Sequence, residues 1–153
     1  MSNPLPKLLL IGYGNPGRLD DGLGPALAAR IEAASLKGIT VEADYQLTVE
    51  NAVDVSKHDV VIFADAAVEG KEPFFFSEIC SRSPVSLSSH SVSAEAVLFY
   101  AEQMFHANTR AYVLGIRGYE FNEFEEKLSE GAKHNLEEAF QFIANLSASD
   151  LVQ

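Results

Sequence analysis

The chain has a single cysteine, Cys80, in 153 residues. That excludes an internal disulfide and a cysteine-built metal cage, and the ordinary fate of such a thiol is to be a small buried hydrophobe. Basic residues are scarce as well: 11 Lys and Arg stand against 22 Asp and Glu, a formal charge of −11. A surface so acidic disfavours nucleic acid and anionic membrane as partners and suits a soluble monomer. No apolar run reaches membrane-spanning length, and residues 1–6 carry no basic region followed by a long apolar stretch. A cytoplasmic protein is expected, with no membrane contact. Long linkers and repeats are also missing, so the 47% hydrophobic content reads as one domain over 1–153 with a substantial core.

What is present is concentrated early, in Gly12-Tyr-Gly-Asn-Pro-Gly-Arg-Leu-Asp-Asp-Gly-Leu-Gly24. The apolar residues 7–13 read as a buried strand entering a tight turn, and Leu23, Leu27 and Ile31 recur at helical spacing after it. Pro25 suits a first helical turn, and Asp20 or Asp21 is placed to cap the free donors there, Asp20 being the better candidate. Gly12, Gly14 and Gly17 satisfy GxGxxG, and Glu42 or Asp44 closes the next strand where a ribose-binding acid is expected. A dinucleotide-binding module is therefore one reading. Electrostatics opposes it, because Asp20 and Asp21 stand where a helix N-terminus would offer bare N–H groups to a pyrophosphate. Two like charges a few ångströms apart repel by roughly 1 kcal/mol in water and about 4 kcal/mol at an effective dielectric near 20. A cation is the better tenant.

Strand patterns at 7–13, 39–44, 60–65, 74–79 and 111–117 alternate with helical patterns at 23–34, 48–57, 93–106 and 129–146. In the last helix Leu136, Ala139, Phe140 and Ile143 form the apolar stripe and Ser129 is the expected cap. The order predicts an α/β three-layer sandwich: a mostly parallel five-stranded twisted sheet with helices on both faces. Only the third and fourth strands lack a helix between them, so one edge is expected to be antiparallel.

Ligands of such sheets gather at the carboxyl ends of the strands, where strand order reverses. Asp21 follows the first strand, Asp65 ends the apolar run from Val60, and His90 lies in the serine-rich loop before the third helix. Two carboxylates and an imidazole suit a divalent transition metal with positions left open. Each also has a plain alternative: Asp21 as a helix cap, Asp65 as a turn residue, His90 as a solvated loop histidine. His58 falls at the opposite edge, His106 and His134 fall on helices, and Asp44 and Glu50 are near the ligand edge with no fixed direction.

Taken together, Leu8-Leu-Leu-Ile-Gly-Tyr-Gly-Asn15, Asp20-Asp-Gly-Leu-Gly24, Phe63-Ala-Asp-Ala66 and Ser89-His90 resemble the nickel-iron hydrogenase maturation endopeptidases over nearly the whole chain. Val113-Leu-Gly-Ile-Arg117, Leu128-Ser129 and a terminal helix continue the likeness. The resemblance implies a hydrolase of nickel-dependent, aspartic type. It would remove the C-terminal extension of the hydrogenase large-subunit precursor after nickel insertion. Nickel would arrive with the substrate, leaving no tightly bound metal at rest, and the family's nickel-contacting positions fall on Asp21, Asp65 and His90. Gln46-Leu-Thr48 is an expected substrate contact, residues 16–19 are a local variation, and a non-catalytic metal-sensing chaperone is the remaining alternative.

Overall fold

Apolar runs that alternate with helices need a sheet covered on both sides. The computed structural model, which describes residues 5–84 and 92–152, has that arrangement. Strands β1 (Leu8–Tyr13), β2 (Ile39–Asp44), β3 (Val60–Ala67), β4 (Phe74–Ile79) and β5 (Arg110–Arg117) form one sheet in the order β2-β1-β3-β5-β4. The first four of these neighbours run parallel, and β4 pairs antiparallel with β5 at the edge. The antiparallel edge expected from the sequence is present, with β4 hydrogen-bonded to β5 instead of β3.

Helices α1 (Leu23–Ala33) and α4 (Glu130–Ala144) cover one face, where Leu23, Leu27, Ile31, Leu136, Ala139 and Ile143 pack on Leu8, Leu10, Val60 and Ile62. Helices α2 (Asn51–Ser56) and α3 (Ala94–Phe105) cover the other, with Ala52, Val55, Val97 and Leu98 on Leu9, Ile11, Val61 and Phe63. Odd and even residues of β1 and β3 thus feed separate cores, as the twofold pleat requires. Burying each large aliphatic or aromatic side chain contributes about 1.5–3 kcal/mol, so the two central strands anchor the fold. Ser129 and Ser93 accept the backbone N–H of Ala132 and Ala96 at 3.2 and 3.1 Å and cap α4 and α3.

Some expected details differ. Helix α2 begins only at Asn51: residues 48–50 form a tighter turn leading into it, their carbonyls accepting the N–H groups of Asn51, Ala52 and Val53 at 3.1, 3.0 and 3.2 Å while the Asn51 side chain accepts the Thr48 N–H at 2.8 Å. A short fifth helix, α5 (Ala148–Leu151), follows α4 and buries Leu151. Cys80 is exposed instead of buried, since it lies just past the end of edge strand β4, which pairs on one side only. Leu47 is 1% exposed and belongs to the α2 and α3 core, so this part of the expected substrate contact is structural. Among the described residues, no helix is long and apolar enough to cross a membrane.

Candidate functional site

From β1 the chain crosses to β2 on one side, and from β2 it returns to β3 on the other, so strand order reverses between β1 and β3. The β1 ladder stops at the pair Gly12 and Ala64, leaving Asp65 as the next residue of β3 beyond it. Sheets of this kind have their ligand crevice at such a reversal, and the loop that leaves β1 flanks it. Asp21, in the loop after β1, and Asp65, near the end of β3, both lie at this edge and are half-buried.

The loop takes its shape from glycine in two places. Gly14 has φ +140°, and a Cβ on it would overlap the Asp21 carbonyl oxygen. Gly24 lies so close to the carbonyls of Tyr13 and Ala64 that no side chain fits between α1 and the sheet. Helix α1 does not start directly after Gly17, because a 3-10 turn, Leu19–Gly22, intervenes. Leu19 holds φ 51°, a left-handed conformation unusual for a branched side chain, and its N–H is tied to the Glu125 carbonyl at 2.9 Å.

The loop's backbone donors are spent internally. Asp21 Oδ2 accepts the Asn15 N–H at 2.9 Å, Asn15 Oδ1 accepts the Gly17 N–H at 2.9 Å, and the Asp44 carbonyl accepts the Gly14 N–H at 3.0 Å. A phosphate would find these N–H groups occupied by acceptors, two of them in the positions that GxGxxG reserves for it. Asp44, the candidate ribose acid, accepts from Asn51 Nδ2 at 3.2 Å. The arrangement accordingly disfavours a dinucleotide and leaves Asp21 with one anchored oxygen. Among the described residues no hydrogen bond reaches Asp21 Oδ1.

Asp20 has a different role from the α1 cap expected of it. Helix α1 is preceded by Gly22 with no side-chain cap, and Asp20 is turned to the far side of the loop and fully buried. Its carboxylate accepts the N–H groups of Tyr119, Glu120 and Ser129 at 2.8, 3.0 and 2.8 Å, and the Ser129 hydroxyl at 2.7 Å. Burial pushes its pKa up, but the four donors outweigh this and hold it below the usual carboxylate range. Further ties reinforce the seam: Asp20 N–H to the Glu120 carbonyl at 2.9 Å and Arg18 Nε to the Phe121 carbonyl at 3.0 Å. Asp20 thus joins the glycine loop to the segment after β5 and to the start of α4.

Asp65 is held differently. Its Oδ1 accepts the Ala66 N–H at 2.8 Å, and Tyr13 follows Gly12 on the neighbouring strand β1, close enough for its phenol to influence the carboxylate. Burial raises the Asp65 pKa to about 6; the Ala66 bond opposes the rise, the Asp21 charge adds to it, and Tyr13 opposes it. Tyr13 stays a donor, because burial and the carboxylates of Asp65 and Glu95 push its pKa well above the usual phenol value. Two like charges close enough to perturb one another, in a half-buried crevice, make a site that favours a cation or a shared proton.

His90, the third predicted site residue, lies outside the described residues. Among the described residues no group of three His, Cys, Asp or Glu stands ready to hold a metal ion, so Asp21 and Asp65 are a pair. His58 is at the opposite edge as expected, its Nδ1 2.7 Å from the Asp54 carbonyl, while His106 is the left-handed residue that ends α3. Sequence reasoning missed Tyr13 and Asp20 as parts of the site. The period of two offered a signal for Tyr13, which shares a sheet face with Ile11; the partners of Asp20 are 99–109 residues away and left none.

No protein-family model matches the chain, and no curated protein matches it. Solved structures do. The chain resembles the [NiFe] hydrogenase maturation protease HycI from Thermococcus kodakarensis, with TM-score 0.70 and 20% identity over 95% of this chain and 92% of that one. The hydrogenase 2 maturation peptidase of a Thaumarchaeota archaeon gives 0.66 and 22% over 90% and 95%, respectively. The hydrogenase maturating endopeptidase HybD from E. coli gives 0.69 and 17% over 90% and 89%. What these likenesses establish is the architecture: the chain has the fold of the hydrogenase maturation proteases.

Proposed function

We propose that this chain is an endopeptidase that removes the C-terminal extension of a nickel-iron hydrogenase large-subunit precursor once nickel is in place. The observation that carries the reading is the Asp21 and Asp65 pair at the strand-order reversal, in a loop whose N–H donors are already satisfied. Each carboxylate has one oxygen that accepts a backbone N–H, and the two are near enough for the Asp21 charge to act on Asp65. The set formed with His90 is the nitrogen and oxygen donor chemistry that a borderline divalent ion accepts.

In this reading nickel is part of the substrate. The precursor's ion is approached by Asp21, Asp65 and His90 while the scissile bond lies beside it. A divalent ion so placed polarises a carbonyl or lowers the pKa of a water. Asp65, with its pKa raised to about 6, is deprotonated at neutral pH and able either to ligate or to take a proton from that water. A protein substrate agrees with the exposed apolar residues that follow the strands at this edge of the sheet. Tyr45 after β2, Val68 after β3 and Phe124 in the segment after β5 are 73%, 66% and 84% exposed, and the Arg18 guanidinium lies 6.0 Å from the Phe124 ring centre. Exposed apolar side chains on the loops of this edge suit a surface that meets a partner. The acidic surface and the lack of a membrane-spanning helix among the described residues suit a monomer acting in the cytoplasm.

The test mixes precursor, with and without nickel, with the wild-type chain and with Asp21→Asn, Asp65→Asn and His90→Gln. Cleavage of the nickel-loaded precursor by the wild type alone is expected, seen as a loss of mass. Equal clipping of nickel-free precursor overturns the substrate-metal step, and a variant that cleaves at the wild-type rate removes its residue from the site. Binding of loaded precursor with no change in mass would instead indicate a silent metal-sensing chaperone. NAD and NADP are expected to give no heat of binding.

A further inference from the structure

We infer that Phe75 is a specificity-determining residue, its ring forming an apolar shelf beside Asp65 that takes an apolar side chain of the precursor next to the scissile bond. In β4 the run Phe74-Phe75-Phe76 is divided between the two faces of the sheet by the twofold pleat. Phe74 and Phe76 pack on the α1 and α4 core, their ring centres 5.1 and 4.9 Å from that of Phe142, with Phe76 also stacked on Tyr112 at 5.0 Å. Phe75 therefore belongs to the opposite face, the one that carries Phe63 and Val113, and it remains 37% exposed.

A glycine sets where the ring lies. Phe75 is in register with Gly115, and Gly115 with Asp65, so the three stand in one row across β4, β5 and β3. A Cβ on Gly115 would overlap Cε1 and Cζ of Phe75, which places the ring over β5. Asp65 is the next position of the row, one strand spacing of about 4.8 Å further on. Glycine inside a strand paired on both sides weakens it, and it often marks a place where a ligand or another backbone comes close. One row further out, Ala67 is small, and its partner Arg117 spends its guanidinium on the carbonyls of Gly70 and Gly118 at 3.0 and 3.2 Å, with Glu72 at 3.9 Å. What stands beside the carboxylate is thus an apolar surface half in water. Such a surface next to a few polar groups suits an aliphatic or aromatic side chain of a bound peptide.

The inference rests on the proposed proteolysis, and the experiment separates the two. Wild type, Phe75→Ala and Phe75→Leu are melted and assayed on nickel-loaded precursor, and the mass of the released peptide locates the scissile bond. The residues flanking that bond are then replaced one at a time by Ala. With the wild-type chain, replacement of one apolar residue is expected to raise KM roughly tenfold. Phe75→Ala should raise KM by a similar factor on the unaltered precursor, keep kcat within about threefold and be indifferent to that replacement, a non-additivity that loss of packing alone would not give. Phe75→Leu keeps an apolar cover on Gly115, so it should stay folded and show the same selectivity with a smaller rise. Wild-type KM in both variants overturns the shelf, as does an equal penalty for the precursor replacement in all three chains. Failure of the wild type to cleave any loaded precursor overturns the proteolysis itself.

Discussion

Asp20 and Asp21 are adjacent and chemically identical, and the fold gives them opposite surroundings. Asp20 is fully buried with four donors on its two oxygens, whereas Asp21 is half-buried with one N–H on one oxygen. A carboxylate that spends all its acceptor capacity on the chain has none left for a ligand. The Asp-Asp pair is thus one structural charge and one that, among the described residues, keeps an oxygen without a hydrogen bond.

Exchanging the two fates is the strongest way to break this contrast. Asp20→Asn leaves three N–H groups and a hydroxyl facing an amide that offers only one acceptor, and is expected to cost about 3 kcal/mol of stability, read as a lower denaturation midpoint. Asp21→Asn should leave that midpoint within about 0.5–1 kcal/mol of wild type while abolishing cleavage. Similar stability losses in both variants would erase the distinction.

A smaller effect is expected from Gly14→Ala. The +140° backbone and the contact with the Asp21 carbonyl force the loop to shift, at a cost of roughly 1–3 kcal/mol. Because the shift pulls at Asp21 itself, activity measured on the folded fraction should fall as well. Normal specific activity would show that the glycine serves stability alone.

The smallest effect concerns a second carboxyl pair, Glu42 on β2 and Asp54 on α2. Burial raises the Glu42 pKa to about 7, helped by its hydrogen bond to Asp54 and by the Asp54 and Asp44 charges. The folded form therefore holds a proton that the unfolded chain releases near 4.5, so this pair costs stability as pH rises from about 4.5 to 7. Glu42→Gln is expected to raise Tm relative to wild type at pH 8 and to make no difference below pH 4.5. A constant offset at all pH values would rule out the shared proton.

Much of this was legible in the chain. The alternation of 2 and 3.6 periods gave the five strands and the main helices, and an apolar run ending in Asp65 marked the candidate edge because parallel strands bind ligands there. Asp21 could be singled out only jointly with Asp20, since local sequence could not say which way each would turn. That choice is made by Tyr119, Glu120 and Ser129, about a hundred residues on. The exposure of Cys80 was equally illegible, because it depends on β4 taking the edge beside β5. Leu47 reads as part of a polar loop, yet the hollow between β2 and α2 draws it inside.

The seam between residues 18–20 and 119–129 has a consequence for how the crevice comes into being. Without the segment 119–129 docked, Asp20 is a charge without those donors, and the turn that carries Asp21 keeps only its own internal bonds. The first and last parts of the molecule therefore vouch for each other. The shape of the candidate edge thus depends on residues about a hundred positions apart being docked on each other.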